Sequence, residues 1–172
     1  MKQEYQILSK LRIGLGYDVH AFAENRKLIL AGIEIPYHKG LDGHSDADVV
    51  CHALMDAILG AMNAGDIGKL FPDTDAQFKD ADSCLLLEQV AKLMKEGSYC
   101  LLNADIVIAA QAPKLSPYRE AMQERLASCL QVPSGCIGLK ATTTEKLGFV
   151  GREEGIACTA SVLLVHEGDE DV

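Results

Sequence analysis

Apolar positions along this 172-residue chain follow two different periods. Arg12 to Val19 alternates, as a strand with one buried face does. Leu28 to Ile35 carries Gly32 inside it, which predicts a hairpin or a bent pair of strands. A loop is expected from Pro36 to Gly43. The period then changes. Val49, Val50, Ala53, Leu54, Ala57, Ile58 and Leu59 recur at helical spacing and predict a helix to about Met62, ended before Gly65. Ser45 is its expected N-cap, with Asp48 at the third helical position in a variant of the capping box.

Asp66 to Asp80 is dense in Asp, Gly and Pro and is expected to be a loop. A second helix is predicted over Ser83 to Glu96, stopped at Gly97. Tyr99 to Ala110, around Ile106-Val107-Ile108, predicts a buried strand. Ser116-Pro117 marks the start of a third helix, with proline at its first position, ending near Leu130. Ile137 to Ala141 and Gly155 to Val165 predict the last strands. The order β-β-α-α-β-α-β-β implies an α+β fold, one mixed sheet with helices on one face, in a single domain over 11–166. Residues 1–10 form an N-terminal arm and 167–172 an acidic, frayed tail. A sheet left open on one face needs a partner, so a homo-oligomer is expected.

Composition narrows the function classes. Sixteen Lys and Arg against 25 Asp and Glu leave a net charge of -9, and the cations are scattered. Nucleic acid is therefore not expected as a partner, because phosphate neutralisation needs a basic patch. No apolar run approaches the roughly 20 residues that span a membrane, and MKQEYQILSK has no apolar leader segment. Six cysteines without a C-x-x-C pair are expected to be buried free thiols of a reducing compartment.

The densest chemistry lies between Asp18 and Asp56. Asp18 and His20 are two apart on a strand and aim from one face, an oxygen and a nitrogen donor that suit Zn²⁺. A third ligand must come from elsewhere, and His44 and His52 are the candidates. Asp48, His52 and Asp56 recur every four residues as one polar stripe on an otherwise apolar helix. Burial of such a stripe demands partners, which a metal and a polar ligand supply; a solvent-facing stripe is the other outcome. His38 and His166 lack such company and are expected at the surface.

Thr142-Thr143-Thr144-Glu145 follows a strand, and Thr142 with Glu145 has capping-box spacing. Hydroxyls and amides at such a turn can bind phosphate oxygens, with Glu145 holding a harder cation such as Mg²⁺. Asp66 to Asp75 offers carboxylates for a polyol. Ala110 to Ser116 joins a strand to a helix, and its backbone groups and Lys114 suit a base or phosphate.

Together these segments, RIGLGYDVHAF, GIEIPYHKGLDGHSDADV, GDIGKLFPDTD, QAPK and KATTTEKLGFVGREEGIA, resemble the 2-C-methyl-D-erythritol 2,4-cyclodiphosphate synthase family of non-mevalonate isoprenoid synthesis, from Arg12 to about Val165. The resemblance implies a cytoplasmic, bacterial enzyme. It implies a homotrimer with active sites between subunits, and Zn²⁺ or another divalent transition metal on Asp18, His20 and His52. It gives Mg²⁺ or Mn²⁺ to Glu145. His44 becomes a phosphate-side residue that acts with Thr143 in catalysis, with Ser45 beside it. Asp66, Ile67 and Gly68 hold the ribose. Phe71, Pro72, Asp73, Thr74 and Asp75 hold the erythritol. Ala110, Gln111, Ala112, Pro113, Lys114, Leu115 and Ser116 form the cytosine pocket of a cytidine diphosphate moiety, and Thr142, Thr143, Thr144 and Glu145 line its phosphates. Phe149 and Arg152 also match family positions. Arg152 with Tyr17 lines an axial cavity for an isoprenoid diphosphate, or Arg152 pairs with Glu153 or Glu154 of a neighbour. Leu15 stands where many members carry His, and Ala47 where many carry Gly. A zinc-dependent phosphohydrolase and a non-catalytic nucleotide or isoprenoid-diphosphate sensor are the rival readings.

Overall fold

The computed structural model describes residues 8–72, 74, 75, 78 and 81–168. Asp73, most of the N-terminal arm and the end of the acidic tail lie outside them. Strand β1 (Leu11–Ala23) is longer than its alternating pattern, because it pairs antiparallel with β7 (Gly155–His166) from Leu11↔Val165 to Ala21↔Gly155. Its far end pairs with the short β4 (Gly40–Leu41) through Phe22↔Leu41. Beyond β7 lie β5 (Tyr99–Ala109), antiparallel, and β6 (Ile137–Thr142), parallel to β5. The sheet order is β4-β1-β7-β5-β6, so the mixed sheet is as expected. These pairings make β1, β5 and β6 run the same way, and their C-terminal ends share one end of the sheet.

The hairpin over 28–35 is real: β2 (Leu28–Leu30) pairs with β3 (Ile33–Ile35) as a separate two-stranded sheet. Ala31 and Gly32 both have positive φ, 52° and 71°, the requirement of a tight two-residue turn whose twist matches the strands.

Helix α1 (Val49–Ala61) packs across β1 and β7. Gly14 and Gly16 permit the approach: a Cβ at either would sit 1.8 Å from the Ala57 carbonyl oxygen or 2.0 Å from that of Ala53. The next two residues on that face of β1 are Asp18 and His20, so the glycine contact delivers them to α1. Ser45 is not the cap. Asp48 caps α1, accepting from the amides of Val50 (3.0 Å) and Cys51 (3.2 Å). It also accepts from Ala31 (2.9 Å) and Gly32 (2.7 Å), which fastens the hairpin turn to the helix. A carboxylate satisfies more donors than a hydroxyl, and burial here pushes its pKa up to about 6 in spite of them.

A short turn α2 (Ile67–Leu70) follows, and then α3 (Ser83–Glu96), which packs on α1 and on α4 (Arg119–Leu130). The third expected helix begins as a 3₁₀ turn over Ser116–Tyr118 before α4 proper. A last short helix α5 (Gly148–Gly151) precedes β7. All six cysteines are free, but Cys100 and Cys136 are only half-buried, and His166 is half-buried against Tyr99. On the sheet face away from the helices, β1 leaves Ile13 (77%), Leu15 (71%), Tyr17 (57%) and Val19 exposed. No helix among the described residues is long and apolar enough to cross a membrane.

Candidate active site

Three donor atoms meet where β1 crosses α1. Asp18 Oδ2 lies 3.0 Å from His20 Nε2 and 3.2 Å from His52 Nδ1, and the two ring nitrogens are 3.1 Å apart. Bonds of about 2.0–2.1 Å to a tetrahedral metal place ligand atoms about 3.3 Å apart, so this triangle fits one face of such a polyhedron. The fourth position opens on a cavity of about 250 Å³, also lined by His44, Ser45, Ile67, Gly68 and Phe71. Asp18, His20 and His52 are the one group of three His, Cys, Asp or Glu residues among the described residues that could hold a metal ion.

Electrostatics agrees with cation binding. Burial works against ionisation of Asp18, yet the neighbouring imidazoles of His20 and His52 hold its carboxyl well below the usual range. Burial likewise disfavours a charged His20, but Asp18 wins and raises its pKa. His20 Nδ1 lies 2.5 Å from the Asp42 carbonyl oxygen, which keeps the proton on that nitrogen and leaves Nε2 for the centre.

The choice left open between His44 and His52 is decided by position. His52 completes the triangle. His44 lines the cavity, and its Nε2 is buried without a hydrogen-bond partner among the described residues. The polar stripe on α1 is divided: Asp48 holds backbone amides, and Asp56 accepts from the Ile67 amide at 2.8 Å. Burial raises the Asp56 pKa. Only His52 of the three belongs to the donor triangle. Ser45, moved off the cap, accepts from the Ala47 amide at 3.1 Å and lies 3.2 Å from His52 Nε2. Ser83, foreseen only as a helix start, is fully buried with its Oγ 3.0 Å from the same nitrogen.

A second pocket, about 510 Å³, is lined by Ala110 through Ser116, Leu139 through Thr143, and Arg119. Arg119 sits just past the expected helix start; its place one turn after Ser116-Pro117 was the available signal. The capping box at Thr142 does not form. Glu145 and Lys146 adopt positive φ, 52° and 63°, so the chain turns instead of entering a helix. Glu145 accepts from Thr143 Oγ1 at 2.8 Å, while Thr142 and Thr144 donate to backbone carbonyls. The Lys146 amide donates to Gln111 Oε1, tying this turn to the pocket wall.

The remaining candidates are dispersed. Asp66 caps α2, accepting from Lys69 N at 2.9 Å. Pro72 and Asp75 are half-buried and Thr74 is exposed. Phe149 is exposed on α5. Arg152 makes a two-bond pair with Glu154 of its own chain, at 2.8 and 3.0 Å. The two pockets share no lining residue. Val19, Ala157, Ala109 and Thr142 stand side by side across four strands, which separates the pockets laterally by about 14 Å at one end of the sheet.

The sequence pattern of the YgbB family matches residues 11–165. The 2-C-methyl-D-erythritol 2,4-cyclodiphosphate synthase of Haemophilus influenzae is 56% identical over 157 residues, covering 91% of this chain and 99% of the relative. The enzyme of that name from a Geobacillus species is 60% identical over 153 residues, 89% and 97% of the two chains. Among solved structures, the bifunctional IspDF from Campylobacter jejuni superposes with a TM-score of 0.88 at 51% identity, covering 91% of this chain and 42% of that one. The IspF–CDP complex from Plasmodium falciparum superposes with a TM-score of 0.80 at 34% identity, covering 92% and 97%.

Proposed function

The chain belongs to the YgbB family of 2-C-methyl-D-erythritol 2,4-cyclodiphosphate synthases, and from this premise we propose that it converts 4-diphosphocytidyl-2-C-methyl-D-erythritol 2-phosphate into the cyclic diphosphate and CMP. The 2-phosphate oxygen attacks the β-phosphorus, a new P–O bond closes the ring, and the bond to the α-phosphate breaks to release CMP. The enzyme is a cyclising phosphorus–oxygen lyase of the bacterial cytosol, by the same resemblance.

The observation that carries the reading is the Asp18–His20–His52 triangle opening into a cavity that also holds a buried His44 Nε2 without a hydrogen-bond partner among the described residues. Asp18, His20 and His52 would hold a divalent cation, zinc first, and it would supply Lewis acidity toward a phosphate oxygen. The nucleophile is already an anion, so no strong base is needed and the protein's task is positioning and charge stabilisation. His44 Nε2 is a hydrogen-bond donor for a phosphate oxygen, with Ser45 beside it. Ile67, Gly68 and Phe71 wall the sugar and polyol end of the metal cavity; Asp66, Pro72, Asp73, Thr74 and Asp75 complete the binding of ribose and erythritol. Cytosine lies, by the same resemblance, in the pocket of Ala110 to Ser116, and a cytidine diphosphate ligand is in keeping with the CDP complex of the Plasmodium relative. Lys114 and Thr142, Thr143 and Thr144 face the nucleotide phosphates, and Glu145 holds Mg²⁺ or Mn²⁺.

The separation of the pockets within one chain, with the bare apolar stripe of β1, supports a homotrimer in which each active site takes its two halves from neighbouring subunits. By resemblance, Tyr17 and Arg152 face an axial cavity for an isoprenoid diphosphate; such a ligand has to displace the Arg152–Glu154 pair. A phosphorus NMR time course with the diphosphocytidyl substrate, Zn²⁺ and Mg²⁺ tests the function. Formation of CMP and a cyclic diphosphate, abolished by chelation, is expected. Release of inorganic phosphate would favour a phosphohydrolase, and binding without turnover a sensor.

A further inference from the structure

We infer that Ser83 and Asp46 are positioning residues that set the tautomer and tilt of His52, and through them the metal affinity of the Asp18–His20–His52 centre. The inference rests on the metal-dependent reading above and adds to it a second layer of residues that the three donors do not contain.

The direction of the proton chain follows from its carboxylate end. An ionised carboxylate only accepts. Ser83 Oγ donates to Asp46 Oδ1 at 2.5 Å, and the Ser83 amide donates to Asp46 Oδ2 at 3.1 Å. The Ser83 hydroxyl proton is therefore committed to Asp46, and what its oxygen turns toward His52 Nε2, at 3.0 Å, is a lone pair. His52 Nε2 must then carry the proton. Its Nδ1, 3.2 Å from Asp18 Oδ2, is left with a free lone pair pointing at the centre. Ser45 Oγ, at 3.2 Å from Nε2 and already accepting from Ala47, gives the N–H a second, longer acceptor.

The chain is held where it can act. Ser83 is fully buried, and Ser45 and His52 nearly so, so water does not replace a lost partner cheaply. Asp46 is fixed at both ends: its amide donates to the Ala81 carbonyl at 3.1 Å, and its Oδ1 also accepts from Asp48 N. The loop before α1 and the first turn of α3 are thus latched through the atoms that orient the ring. His20 has a separate device, the Asp42 carbonyl. The two imidazoles are aimed by different elements, and only that of His52 depends on a side chain.

Ser83→Ala removes the hydroxyl but keeps the backbone amide bond to Asp46. Expected results are a 10–100-fold weaker zinc affinity, measured by competition with a chromophoric chelator, and an unchanged far-ultraviolet spectrum. In the apo-protein, ring ¹⁵N shifts of His52 should move from a pure Nε2–H signature toward a tautomer mixture. Asp46→Ala removes the acceptor, frees the serine proton and should move both readouts the same way; Ser83→Thr should restore both. Zinc affinity within twofold of wild type in Ser83→Ala, with unmoved ¹⁵N shifts, would overturn the inference. Absence of zinc binding by the wild-type protein would instead overturn the metal reading itself, and the apo ¹⁵N spectra separate the two failures.

Discussion

The two pockets are built from different kinds of atoms. The metal cavity is made of side chains: two imidazoles and a carboxylate within 3.2 Å of one another, backed by buried hydroxyls and closed by α1 and α3. The pocket at the ends of β5 and β6 is lined by the successive residues 110–116 and reaches a turn where Thr142 and Thr144 donate to nearby backbone carbonyls. One is assembled by long-range packing, the other by consecutive residues. A region of the first kind can hold an ion before any partner arrives, because its donors are already desolvated and aimed. A region of the second kind offers shape and amides and depends on what is brought against it.

Substitutions can break this contrast at its strong end first. His52→Ala should lose zinc in elemental analysis and reduce turnover by about a thousandfold, with the melting profile of a folded protein. Leu15→Glu puts a charge into the exposed apolar stripe of β1. Burying an unpaired charge costs several kcal/mol, so assembly should weaken by roughly a hundredfold or more in sedimentation velocity. Zinc content per chain should stay intact, since Asp18, His20 and His52 come from one chain, while turnover falls with assembly.

Acid sharpens the comparison. Asp18 raises the pKa of His20 above its ordinary 6.5, so in the apo-protein this pair stabilises the fold fully below about pH 6.5 and the contribution is lost as pH rises through the raised value. Zinc needs the deprotonated ring, so its affinity runs the other way, falling about tenfold per pH unit below the raised pKa. Asp18 is held ionised throughout and adds no slope. Zinc titrations from pH 5 to 8 should show the fall, whereas CDP affinity should change less. Lys114→Ala is the mildest change. Losing one charge-assisted hydrogen bond, about 1.5 kcal/mol, should weaken CDP roughly tenfold by calorimetry and leave zinc content alone.

The same contrast governs what was legible in the sequence. Asp18 and His20 could be paired because strand geometry is a period of two, and the apolar helix made His52, beside His44, a candidate for the third donor. The spacing of that helix also grouped Asp48 and Asp56 with it, and there periodicity misled: both carboxylates were needed by local backbone amides, at the hairpin turn and at Ile67. Ser45 lost the cap to Asp48 for the same reason. Ser83 carried no signal beyond a helix boundary, because its role is a contact with a residue 31 positions away. The expected box at Thr142 failed because Glu145 and Lys146 turn left-handed. The pocket of Ala110 to Ser116 was legible mainly through resemblance, since backbone amides leave little trace in residue type. Ala47 has a φ of 57°, a conformation that favours the glycine expected there by resemblance.

On the function proposed, the two pockets are halves of one active site contributed by neighbouring subunits. The most direct test is co-expression of His52→Ala with Glu145→Gln, each inactive alone, followed by assay of the mixed oligomers. Random assortment in a closed ring leaves about a quarter of the interfaces with both intact halves, and the account predicts recovery near that fraction of wild-type turnover. No recovery in mixed oligomers verified by mass spectrometry would place both halves in one chain and contradict it.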